Sequence, residues 1–154
     1  PVYSVVVVYN KVNLQKHKST NAGFPRRNLL ELCCSVDSLL CGKGRFSEGC
    51  VSTRATKVHD ILAESGREFA RSAADCLNFT LWISLECTGG SQFQRLNLCK
   101  GTDDTKQLIK SHREKFKDML RVASEVARVV KQNDGIICFD FPGGFSFWNE
   151  TPLN

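Results

Sequence analysis

No stretch of this sequence holds the roughly eighteen consecutive apolar residues that a membrane-spanning helix needs. The apolar segment from Val5 to Val8 is far too short. The start also lacks a basic leader followed by a long apolar stretch and a small-residue cleavage site, so no secretory signal is read there. It opens on Pro1 rather than Met, which reads as a trimmed chain, a processed product or a piece of something longer. No Cys-x-x-Cys pair occurs, and His17, His59 and His112 do not fall at finger spacing from any cysteine pair. That pattern argues against a structural zinc site, and no metal site is expected. Internal repeats and low-complexity tracts are absent too.

What is present suits one ordinary domain. The chain has 154 residues, 42% hydrophobic and 24% charged, close to the average soluble protein. A domain of this size buries roughly 70% of the surface its unfolded chain exposes, so it needs no staple. Its eight cysteines sit mostly inside apolar runs such as Leu32-Cys33-Cys34 and Ile137-Cys138-Phe139, where a free thiol behaves as a small hydrophobe. Disulfide-dense scaffolds are short and loop-rich, and this chain is neither. The cysteines are therefore expected reduced, in the nucleus or cytoplasm. Two Asn-x-Thr sequons, at Asn78 and Asn149, are read as chance; the first opens a predicted core strand.

Acidic residues are missing from positions 1–30, which hold Lys11, Lys16, Lys18, Arg26 and Arg27. The rest of the chain balances, with sixteen basic and sixteen acidic residues, so the whole net charge of +5 lies in this arm. Basic arms contact phosphate or merely keep a protein soluble. The five cations are the candidate nucleic-acid-binding residues.

Residues 2–9 are β-branched and aromatic and predict a strand. With the polar, basic stretch after it, this segment forms an N-terminal strand and arm over 1–27; the body spans 28–154. Within the body, strands are predicted at Leu29 to Cys34, Cys50 to Ala55, Asn78 to Leu85 and Ile136 to Phe141. A short helix is expected over Asp37 to Lys43. A second is expected over 60–74, with Asp60 as its N-cap. Residues 86–102 hold Gly89, Gly90 and Gly101 and predict a long functional loop. Residues 103–132 carry one apolar stripe, including Ile109, Phe116, Met119, Leu120, Val126 and Val130, with Asp103 and Asp104 where the helix dipole favours acid. Its basic residues, Lys106 to Arg128, interleave with acids at three- and four-residue spacing, as on a solvated face; nucleic-acid contact is the other reading. Strands alternating with helices predict an α/β fold, a Rossmann-like mostly parallel sheet with crossover helices.

Sheets of this kind bind ligands beyond the carboxyl ends of their strands. The turns after residues 34, 55, 85 and 140 are thus the candidate site. In the third of them Cys87 leaves a strand for a glycine-rich turn, the placement a nucleophile needs; a buried strand-end thiol is the plainer reading. Activation needs nearby cations, and Arg95 and Lys100 follow in the same segment, whereas Glu86 opposes it.

Ile83-Ser84-Leu85-Glu86-Cys87-Thr88-Gly89-Gly90-Ser91 resembles the Pro-Cys loop of the DNA cytosine-5 methyltransferases. Leu29-Leu30-Glu31-Leu32-Cys33-Cys34-Ser35 resembles that family's first strand and cofactor turn. The long helix and Gly135-Ile136-Ile137-Cys138-Phe139-Asp140-Phe141-Pro142 resemble the unit whose strand ends in an acidic residue. The resemblance covers residues 28–148. It implies an S-adenosylmethionine-dependent methyltransferase. Cys87 adds to a pyrimidine, and Asp140 holds the ring nitrogen where the family has glutamate. Glu31, Cys34, Ser35, Asp37 and Asp60 hold the cofactor. The base has to be flipped from its stack. The chain departs from the family in several places. Cys34 and Ser35 stand where glycines are usual, Glu86 replaces the proline, and Lys57 falls near the expected ribose-binding acid. Nothing after residue 148 supplies a target-recognition domain. Two further functions fit the sequence: an inactive binding module that contacts nucleic acid through the basic arm, and an assembly role within a larger complex. The C-terminal aromatics Phe141, Phe145, Phe147 and Trp148 read as core or as a partner contact.

Overall fold

The computed structural model describes residues 3–8, 28–38, 40, 51–75, 79–86, 88–91 and 93–142, with the backbone alone for 3–8 and 142. Five strands form one sheet: β1 (Tyr3–Val8), β2 (Asn28–Leu32), β3 (Ser52–Ala55), β4 (Phe79–Ile83) and β5 (Ile136–Pro142). Three α-helices join them: α1 (Glu64–Ala74), α2 (Phe93–Lys100) and α3 (Asp103–Gln132). A 3-10 turn spans Thr88–Gly90. The strand order is β1-β5-β4-β2-β3. The last four run parallel, and β1 pairs antiparallel with β5, Tyr3 opposite Pro142 and Val8 opposite Ile137. The fold is thus α/β with a mostly parallel, Rossmann-like sheet. The N-terminal strand is a member of that sheet.

Alternation along the strands divides the sheet's two faces. Leu30 and Leu32 of β2, Phe79, Leu81 and Ile83 of β4, and Ile137, Phe139 and Phe141 of β5 share one core with Phe116, Leu120, Ala123, Val126 and Val130 of α3. Helices α1 and α3 touch each other and both pack on the sheet, so both cover this face. The opposite face carries a cross-strand row of Arg54, Glu31, Trp82 and Cys138, held in register by the ladders.

Helix α3 begins where Thr102 accepts a hydrogen bond from the Thr105 amide at 3.3 Å, with Asp103 and Asp104 in its first turn. It stops where Asp134 turns left-handed at φ 55° and the Gly135 amide donates to the Val130 carbonyl at 2.8 Å. A Cβ on Gly135 would lie 2.3 Å from Val130 and 2.7 Å from the Phe79 carbonyl, so glycine lets the chain pass into β5.

Three expectations are corrected. Helix α1 starts at Glu64, because Asp60 closes a tight turn of its own by accepting from the Leu62 amide at 3.0 Å. Its buried side is Gly66, Ala70 and Ala74. Residues 86–102 are not one loop but contain the 3-10 turn and α2. Asp37 sits in a turn, and residues 39 and 41–43 of the short helix expected there lie outside the described residues.

Candidate functional site

The connection from β2 leads to β3 on one side, while β4 lies against β2 on the other. A crevice opens at such a reversal, beyond the carboxyl ends of the two diverging strands. Here those ends are Leu32 and Ile83, partners in the ladder. The Ser84 amide donates to the Leu32 carbonyl at 3.1 Å, and the Cys33 amide to the Ala55 carbonyl at 2.8 Å. The turns after β2, β3 and β4 thus leave the sheet side by side.

The turn after β2 begins at Cys33, whose φ of 63° is left-handed. A non-glycine residue pays about 1–2 kcal/mol for that backbone. Two residues of the opposite face fasten it. Arg54 donates to the Val36 and Ser38 carbonyls at 3.2 and 2.8 Å. Ser38 donates its hydroxyl proton to Glu31 at 2.6 Å. Glu31 is 4% exposed, and its second carboxylate oxygen is buried without a hydrogen-bond partner. Cys34 is buried, with its thiol 3.5 Å from the Glu31 carbonyl. Ser35 and Asp37 are exposed and hydrogen-bonded to each other, and the hydroxyl holds the Asp37 carboxyl below its ordinary range.

Burial, with smaller contributions from Cys34, Asp60 and Glu86, pushes the Cys33 thiol up to about 12 despite Lys115. At neutral pH it stays protonated and is no nucleophile. Among the described residues, Cys33, Cys34, Cys99 and Cys138 are in no disulfide.

On the β4 side, the 3-10 turn is pressed onto α3. A Cβ on Gly89 would lie 3.0 Å from the His112 Cβ and 3.1 Å from the Arg113 amide nitrogen. Arg113 donates to the Gly89 carbonyl at 3.1 Å, and Lys115 pairs with Glu86 at 3.3 Å. Glu86, Thr88, Gly89, His112, Lys115 and Met119 line a shallow, partly open pocket with room for about one water.

The sequence-derived residues are thus distributed as follows. Glu31, Cys34, Ser35 and Asp37 gather at the β2 turn. Asp60 lies close enough to act on the Cys33 thiol. Asp140 lies within β5, on the face away from α3, one residue beyond the last β4–β5 pair. Burial raises its carboxyl. Cys87, Lys11, Lys16, Lys18, Arg26 and Arg27 lie outside the described residues, as do Phe145, Phe147 and Trp148. Arg95 and Lys100 are exposed on α2, and the cation beside Glu86 is Lys115 of α3 instead. His112 and Lys115 were hidden in the sequence, because their spacing marks only one side of a charged helix. Among the described residues, no cluster fits a metal ion, and no helix is long and apolar enough to cross a membrane. Compared with models of known protein families, with curated proteins and with solved structures, the chain matches none.

Proposed function

We propose that this chain is a divergent S-adenosylmethionine-dependent methyltransferase-like domain that acts on a nucleobase. One observation carries the proposal. The turns that the resemblance assigns to cofactor and nucleophile, 33–38 and 84–91, emerge from neighbouring parallel strands at the point where strand order reverses. The sequence alone gave their order along the chain but not their adjacency.

The residues of the first turn fit the polar end of the cofactor. An unsatisfied buried acceptor costs about 1–3 kcal/mol, and the free oxygen of Glu31 is such an acceptor. An ammonium or hydroxyl donor would satisfy it. Glu31, Ser35, Asp37 and Asp60 would hold the cofactor, with Cys34 packed behind the turn. When bound, S-adenosylmethionine supplies an electrophilic methyl group. Cys87 is the nucleophile implied by the resemblance, flanked by Glu86, whose charge Lys115 offsets.

Calorimetric titration of S-adenosylmethionine into the whole chain tests the proposal. Binding in the micromolar range is expected, weakened about tenfold or more in Glu31→Gln, because a hydrogen bond to a charged group is lost. No binding at millimolar cofactor would overturn the enzyme and leave the binding-module alternative, with nucleic acid contacted through the basic arm.

A further inference from the structure

We propose that β1 is a self-association edge. Two copies of this chain pair β1 against β1, antiparallel, about a two-fold axis at Val6, and their sheets join into one.

Topology puts the surface there. β1 stands at the end of the sheet, and its ladder to β5 uses one side of the strand. Every second residue of an antiparallel strand turns both its N–H and its C=O to the other side. Among the described residues, nothing pairs with that side. A backbone row of this kind is a template for a further strand. Natural proteins blunt such an edge with a charge, a proline, a bulge or a very short strand. β1 uses none of these devices. It runs for six residues, Tyr3 to Val8, without proline or charge. Its register with β5 advances residue for residue through Val8 opposite Ile137, so no bulge twists the edge away. The other end of the sheet differs: β3 has four residues, and one of them is Arg54.

Sequence identifies the occupant as a second copy. With Val6 on the axis, Val5 of one copy stands opposite Val7 of the other, and Ser4 opposite Val8. Such β-branched cross-strand pairs favour a sheet. A charge near the axis would face its own kind, and like charges directly opposite are destabilising. Positions 1–10 hold no charged side chain, and the first is Lys11. Val6 and Val8 are in register with Phe139 and Ile137, which belong to the core beneath the helices. An axis perpendicular to the sheet keeps that face matched, so the α1–α3 layers of both copies lie on one side. The interface is isologous and uses the one unblunted edge of each copy, so association closes at a dimer.

Sedimentation equilibrium of the whole chain, combined with NMR, tests the proposal. A species of twice 17.2 kDa is expected. One strand pair is a small joint, so the dissociation constant should lie in the micromolar range. Isotope-filtered NMR of mixed labelled and unlabelled chains is expected to show contacts between Val5 of one copy and Val7 of the other. Val5→Lys puts an edge lysine beside the axis and should weaken the dimer tenfold or more. Asp140 stands opposite position 5 in β5, so the new cation has an acid across the ladder of its own copy. If the variant nevertheless unfolds, the NMR contacts of the unaltered chain decide. A monomer at millimolar concentration would overturn the proposal. So would a dimer without the Val5–Val7 contacts, or one that a folded Val5→Lys variant leaves at full strength.

Discussion

Glu31 and Asp140 are two carboxylates on the same face of the sheet, and their surroundings give them different work. Glu31 is almost fully buried, takes one hydroxyl proton from Ser38 and keeps one oxygen open. Its neighbour in the ladder, Arg54, donates its two terminal nitrogens to the turn carbonyls, while its Nε is buried without a hydrogen-bond partner. Together they shape a turn that lacks glycine at the left-handed position held by Cys33. Asp140 has a carboxyl raised by burial alone. Folding therefore favours its protonated form, and above both its folded and unfolded values the charged group lowers stability. Asp140→Asn is expected to melt at a higher temperature at pH 7. The gain should fade as the pH falls from the raised folded value towards the ordinary 3.8, and be lost below it. Thermal melts at pH 7 and pH 3 check this, and an equal gain at both would contradict it.

At the scale of elements, the apolar stripe of α3 was legible from end to end. Its burial supplies a strong period, and Thr102 and Asp134 mark its limits. Only Val122, 1% exposed, extends the stripe beyond the residues read from the sequence. Strands β4 and β5 were legible to within a few residues because their β-branched and aromatic runs have few alternatives, and β2 because it is a short buried apolar run. Helix α2 was not legible. It buries none of its residues, so nothing in its pattern separates it from a polar loop. The false start of α1 has another cause: the turn chemistry of Asp60 imitates a helix cap. The pocket was the least visible feature. It depends on Gly89 lying against His112 across twenty-three positions of chain, a contact that local pattern does not encode. That close approach makes Gly89→Ala a direct probe. Overpacking of this kind costs about 1–3 kcal/mol, so the variant should unfold at lower denaturant concentration with an unchanged slope. An unaltered midpoint would mean that the turn is not pinned to α3.

Across the whole molecule, the site is a product of strand order. Two turns about fifty residues apart in sequence meet because β4 lies against β2, while β3 takes the other side. Strand β1 caps the far edge by pairing with β5, covering backbone groups that an open edge would expose. The core lies between the sheet and the α1–α3 layer, and the crevice opens at the end of that layer where Asp60, Glu86 and Lys115 all act on Cys33. A cofactor held by the β2 turn, as proposed, would then lie beside the β4 turn. Hydrogen exchange measured with and without S-adenosylmethionine tests that arrangement most directly. The account predicts slowed exchange in peptides covering both 33–38 and 84–91, with β1 and β5 unchanged. Protection confined to one turn, or absent from both at millimolar cofactor, would contradict it.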